Sequence, residues 1–422
     1  MTAEVAVMNK NAIALAADSA TTLDGFNDTY NHHGKLFTLT ESHPVSIMIY
    51  NRLQLNGIPW ETIIKLYQQH VGRNSFSKID DYRSDFITFI NNHQRLFPKV
   101  DRDLFIQRDV IHYTRKLGSE IKHIWQNHKQ SQQMYGDLQL DEFAILYLKN
   151  QLNRIKSENS KKPCNSKKRK YLHEIIYSIP HEVYSQKFKI HLFNTKEIRI
   201  LREFIIELLS GNNFELGSSG VVIAGFGDDE YFPSVSNLIT NGFYGAELNI
   251  QLEPVQKITH TNQGQIIPFA QTEMISSFIK GIHPEYENFL LQELLQILCN
   301  LPEQLIKPIS GLKETEKTAL LVKGQRIAFQ EFQKLRNNIS CHIMQSHIQP
   351  IIDTIKHLPK SSLADVAESL VQITSFKQTV SPGERSVDSN IDVVLITKGD
   401  GVLRYNNPPS NEPASLLKQF TR

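Results

Sequence analysis

Cysteine is scarce in this chain. The three among 422 residues, at positions 164, 299 and 341, are too few and too scattered for a disulfide framework or a zinc cage. That usage fits a reducing compartment and a cytoplasmic location. No run of about 18 uncharged apolar residues exists, so no spanning helix is expected. The first residues show no basic segment leading into an apolar one, so no secretory leader is expected. Charge of one sign is missing too. Against 46 lysines and arginines stand 44 acids, a net of +2. The molecule as a whole therefore advertises neither nucleic acid nor membrane as its partner.

What is present suits a globular protein. Forty percent of the residues are apolar and nine percent aromatic, enough to bury a real core. The length accommodates one large domain with an insertion, or two or three ordinary domains.

Two short apolar runs, Val5–Met8 and Ala12–Ala17, flank the polar Asn9-Lys10-Asn11 and end at Asp18. They predict a β-hairpin buried on both faces. A second pair follows in Lys35–Leu39 and Val45–Tyr50, joined through a turn at His43-Pro44. From about Pro59 the period changes to that of a helix, with Trp60, Ile63, Ile64 and Tyr67 three and four apart. Residues from about 75 to 215 are charged, rich in Asn, Gln and Lys, and helical in period. Within them Arg154 to Lys170 holds eight basic residues and one acid, which predicts a mobile loop that trypsin nicks first.

Strand character returns at Gly220–Gly227 and Ala246–Ile250, then helical period at Met274–Ile279, Tyr286–Leu298, 328–357 and 363–372. The end is again β, Ile391–Thr397 and Val402–Tyr405 around Lys398-Gly399-Asp400-Gly401. Asp-Gly between apolar runs is a strong hairpin signal. Strands grouped at both ends and in the middle, with helices between, predict an α+β layered fold.

At this point the residues resemble a known family. Thr2-Ala3-Glu4-Val5-Ala6-Val7, followed by Ala12–Ala17 and Asp18-Ser19, is similar to the start of mature proteasome β subunits, with gap-free spacing from Thr2 to Asp18. Lys35 stands where that family places its lysine, with one extra residue before it. Gly220–Val235 resembles the family's central strand and turn, and 391–405 its closing strands. The resemblance covers roughly 2–70, 218–280 and 385–405.

The resemblance implies a four-layer αββα sandwich of the N-terminal-nucleophile (Ntn) hydrolases, carrying an α-helical insertion. Residues 1–74 and 216–422 form the core, and 75–215 the insertion. It implies catalysis by Thr2, Asp18 and Lys35. A threonine hydroxyl needs a base, and an N-terminal threonine carries one in its own amine, of ordinary pKa about 7.7–8.0. Removal of Met1 would free that amine. In the resemblance Asp18 holds Lys35, and Lys35 fixes Thr2; an Asp18–Lys35 ion pair is the expectation.

The oxyanion turn falls at Tyr50 and Asn51, in Ile49-Tyr50-Asn51-Arg52, where the family often has glycines. Pro268-Phe269-Ala270-Gln271 holds no serine at the family's Gly-Ser-Gly turn, leaving Gln271 or Thr272 in its place. Asp388 and Ser389 stand for the family's Asp and Ser before the last strand pair. The implied substrate is peptide or unfolded protein, and the implied assembly a homo-oligomeric ring. The chain names no ATPase partner. No cofactor and no metal is expected. His32-His33 has no carboxylate or cysteine at ligand spacing and reads as a solvated loop. Gly225-Phe226-Gly227 lacks the third glycine of a dinucleotide site. The basic run has no interleaved aromatics, so nucleic acid is not its expected partner. The competing expectation is an inactive proteasome-like scaffold whose helical insertion binds a protein.

Overall fold

Elements follow the hydrophobic period along the chain. The computed structural model describes residues 3–18, 21–22, 29–30, 34–40, 43–130, 139–160, 166–190, 194–211, 217–311, 313–380 and 390–405. The first strands are β1 (Ala3–Asn9), β2 (Ile13–Asp18), the two-residue β3 (Thr21–Thr22) and β4 (Thr29–Tyr30), β5 (Leu36–Thr40) and β6 (His43–Asn51). A short pair, β7 (Gln54–Leu55) and β8 (Ile58–Pro59), leads into α1 (Trp60–Val71) and α2 (Ile79–Asn92). Then come α3 (Lys99–Gln130), α4 (Leu140–Asn159), α5 (Ser166–Ser178), α6 (His181–Phe188) and α7 (Thr195–Ser210). Strands return as β9 (Ser219–Gly225), β10 (Ser234–Tyr244), β11 (Glu247–Leu252), β12 (Gln256–Lys257) and β13 (Gly264–Ala270). Helices α8 (Thr272–Lys280), α9 (Pro284–Ile306), α10 (Glu314–Ile343), α11 (Gln349–Ile355) and α12 (Lys360–Val380) precede β14 (Ile391–Thr397) and β15 (Gly401–Arg404). The fold is mixed, with antiparallel sheets, as the α+β pattern predicts. His43 and Pro44, expected to turn, are the first residues of β6. No helix among the described residues is long and apolar enough to cross a membrane.

The chain divides into two compact units: residues 1–46, 230–234 and 257–422 in the first, and 47–229 with 235–256 in the second.

In the first unit an antiparallel sheet runs in the order β13-β1-β2-β14-β15. Every residue of β1 and β2 is buried, which explains their unbroken apolar character. Between them Asn9 closes the turn, its side-chain oxygen accepting from the amides of Asn11 and Ala12 at 2.9 and 3.3 Å. Its amide nitrogen donates to the carbonyls of Ile355 and Leu358, which end α11 and its following turn. One face of the sheet carries Ala3, Val5, Val7, Ala14 and Ala16 against Leu363, Ala364, Ala367, Leu370 and Val371 of α12. Spacings of three and four put those α12 residues on one stripe. Small alanines on both sides let the helix lie close.

In the second unit the sheet order is β11-β10-β9-β6. Helices α3 to α7 share their own core, built from Val110, Leu117, Leu148, Leu172, Ile176, Leu201 and Ile205 among others. The boundaries expected after 74 and 215 are therefore corrected. The helical block has a core of its own, but it shares a compact unit with strands on either side of it in sequence. The ties are specific: Arg83 donates to the Glu253 carbonyl at 2.8 Å, and the amides of Asp228 and Asp229 bond to the carbonyls of Phe76 and Ser77.

The basic run at 154–170 is also corrected. Apart from 161–165, which lie outside the described residues, it is helix, ending α4 and beginning α5. Lys168 is only 8% exposed and donates to Asn249 Oδ1 at 2.8 Å and to the Gly211 carbonyl at 3.3 Å. Arg169 pairs with Glu207 and, at 3.5 Å, with Glu203, both on α7. Counting apolar residues missed two things: lysine stems bury, and the neutralising acids lie some forty residues downstream in α7. Lys168→Ala should cost about 1–3 kcal/mol by stranding those acceptors. Lys170→Ala, at an exposed site, should stay within about 0.5 kcal/mol. Urea denaturation of the two variants checks the contrast.

Candidate functional site

The site grows from a charged residue within a fully buried strand. Glu4, on β1, is 0% exposed. Its cross-strand neighbours are Phe269 on β13 and Ala17 on β2, and Ala17 in turn pairs with Asp392 on β14. Residues directly opposite one another project to the same face of a sheet. Glu4, Ala17 and Asp392 therefore form a row on the face opposite α12.

Lys35, the residue before β5, brings its ammonium to that row. Its Nζ donates to Glu4 Oε1 at 3.2 Å, with the side chains 1% and 0% exposed. A lysine buried so deeply needs a charge partner, and the partner is Glu4. The expected Asp18–Lys35 ion pair is thereby corrected. Asp18 opposes Ile391, placing it on the face of Ala3, Val5 and Ala16, where α12 packs. There its Oδ2 accepts a long hydrogen bond from Ser375 Oγ of α12 at 3.5 Å. The cause is the two-residue period of a strand: neighbours such as Ala17 and Asp18 point to opposite faces.

Asp392 is half-buried, and burial pushes its carboxyl above the usual carboxylate range, while Arg404 and Lys35 pull the other way. A carboxyl raised in the folded state contributes stability below its ordinary pKa of 3.8 that is lost as pH rises through the folded value. Asp392→Asn should consequently gain stability over the wild type at neutral pH. The gain should shrink towards acid pH. Denaturant midpoints of both proteins across that range test it; a pH-independent difference would rule out the carboxyl as its source.

Thr2, Asp388 and Ser389 lie outside the described residues, as does His32-His33. The described chain begins at Ala3, the residue after Thr2. Gln271 stands at the N-terminus of α8, directly after Ala270, whose φ of 55° turns the chain out of β13. Tyr50 and Asn51 belong to the second unit. The Tyr50 ring lies over Gly220, where a Cβ would come within 1.8 Å of it, and its hydroxyl bonds the Asn237 side chain. Asn51, exposed, has φ of 61°, the left-handed region that asparagine tolerates best after glycine.

Sequence reasoning overlooked Glu4, Asp392 and Ser375. The signal for the first two was present: a lone acid inside Ala-Glu-Val-Ala-Val and inside Ile-Asp-Val-Val is a charge in a buried strand, and such a charge implies a cation. Among the described residues, no three of His, Cys, Asp and Glu group as a metal site. The arrangement places a buried ammonium, held by a carboxylate, against the strand that follows Thr2. Comparison with known proteins returned no match among family models or curated proteins.

Proposed function

We propose that the chain is a threonine-type amide hydrolase of the N-terminal-nucleophile class, related to the proteasome β subunits and acting on peptides or unfolded protein. The observation that carries the reading is the buried Lys35 ammonium, 3.2 Å from a carboxylate on β1 two residues beyond Thr2. In this reading Met1 is removed and the Thr2 amine accepts the hydroxyl proton. Thr2 Oγ attacks the substrate carbonyl, the C–N bond breaks, and the amine returns its proton to the leaving group. Water then releases the acyl group. The cation of Lys35 favours the deprotonated forms of amine and hydroxyl. Glu4 takes the holding role that resemblance gave to Asp18, and Asp18 supports the sheet from the α12 side.

The reading carries with it the four-layer αββα arrangement, a homo-oligomeric ring and a cytoplasmic setting. Intact-mass measurement tests it first. A chain that begins at Thr2 has the free amine the mechanism needs. A chain that keeps Met1 has none, and leaves the scaffold reading.

A further inference from the structure

The helical hairpin α9–α10 belongs to the first unit and plays no part in the proposed chemistry. Its helices hold 23 and 30 residues, yet Pro302 and Phe332 are their buried side chains. The two helices meet where Gly324 lies against Pro302: a methyl at Gly324 would come within 2.7 Å of the proline Cβ. That contact fixes which side of each helix faces the other.

At 3.6 residues per turn, Leu290 and Ile297 sit roughly 120–140° around α9 from Pro302. Val322 and Phe329 sit about 140–160° around α10 from Gly324. These are the sides turned away from the neighbour helix, and all four side chains are exposed, Ile297 at 55%, Val322 at 62% and Phe329 at 50%. Each helix thus carries a second apolar stripe with no cover from its own hairpin. Apolar surface repeated along so long an element marks an association site rather than ordinary scatter.

Charge says what covers it. Helix α9 carries Glu285, Glu287, Glu293 and Glu303 and no lysine or arginine. Helix α10 carries Lys317, Lys323, Arg326, Lys334 and Arg336 against three glutamates. Such a hairpin is complementary to itself when turned end for end. A standard interface uses about 20–30 residues a side, which these two helices supply.

We infer that the α9–α10 hairpin pairs with the same hairpin of a second copy of this chain, α9 of one against α10 of the other, around a two-fold axis. An isologous contact closes on itself, so chains join in twos. The pairing stands independently of the proposed chemistry.

Light scattering on the full chain at micromolar concentration is expected to give an even number of chains per particle. Ile297→Glu combined with Phe329→Glu is expected to halve the mass with helicity retained by circular dichroism. Should that variant unfold, charge reversal decides. Glu293→Lys with Glu303→Lys, and Lys323→Glu with Arg326→Glu, should each show half the wild-type mass, and the two proteins mixed should regain it. A monomeric wild type, an odd number of chains, or a mixture no larger than its components overturns the pairing.

Discussion

Replacing Lys35 by methionine should destabilise the protein by about 3–5 kcal/mol, the cost of removing one partner of a buried ion pair. Methionine matches the lysine stem in bulk, so packing changes little. What changes is that Glu4, 0% exposed, loses the ammonium 3.2 Å away. Glu4→Gln added to the same chain should recover much of the loss, because a neutral amide is far cheaper to bury than a carboxylate. Denaturant unfolding of the wild type, both single variants and the double variant gives the coupling. Under the proposed mechanism the double variant should fold but not hydrolyse, since it lacks the Lys35 cation on which that mechanism relies. A Lys35→Met protein as stable as the wild type would mean that the pair is not held away from water.

Thr2→Ala should have the opposite profile. Stability should move by less than about 1 kcal/mol, because β1 is fixed by Val5 and Val7, both 0% exposed, and by pairing to β2 and β13. Under the proposed mechanism turnover should fall by orders of magnitude, since losing its covalent nucleophile removes the acyl-enzyme route. Peptide hydrolysis followed beside thermal unfolding separates the two effects. Equal hydrolysis by the variant would place the chemistry elsewhere.

Much of the architecture was legible because it is local. Both runs of the first hairpin, the closing hairpin through Asp400-Gly401 and the helical stretches at 274–279, 286–298 and 363–372 follow from apolar period and turn chemistry, whereas the first half of α10 does not. The ion pair was half legible. Lys35 was found as the cation, but its partner depends on which face a residue occupies, and that is set by pairing register between strands hundreds of residues apart. Glu4 and Asp392 share a row only because both oppose Ala17. Asp18, one residue on, goes to the α12 side. The basic segment failed for a related reason. Lys168 and Arg169 find Asn249, Gly211, Glu203 and Glu207 through tertiary contact, and no local window contains them. The division into units was hidden likewise, because the helical block is joined to the chain on either side of it by tertiary contacts, Asp109 with Arg52 before it, and Arg83 with the Glu253 carbonyl and Lys168 with Asn249 after it.

The most direct test is covalent. The purified protein is treated with a peptide epoxyketone, which reacts with the hydroxyl and free amine of an N-terminal threonine, and the adduct is located by peptide mass mapping. The account predicts one adduct per chain on Thr2, with Met1 absent, no adduct in Thr2→Ala, and no adduct in Lys35→Met that remains folded. An adduct on any other residue, equal labelling of Thr2→Ala, or an unlabelled protein that nevertheless begins at Thr2 would contradict it.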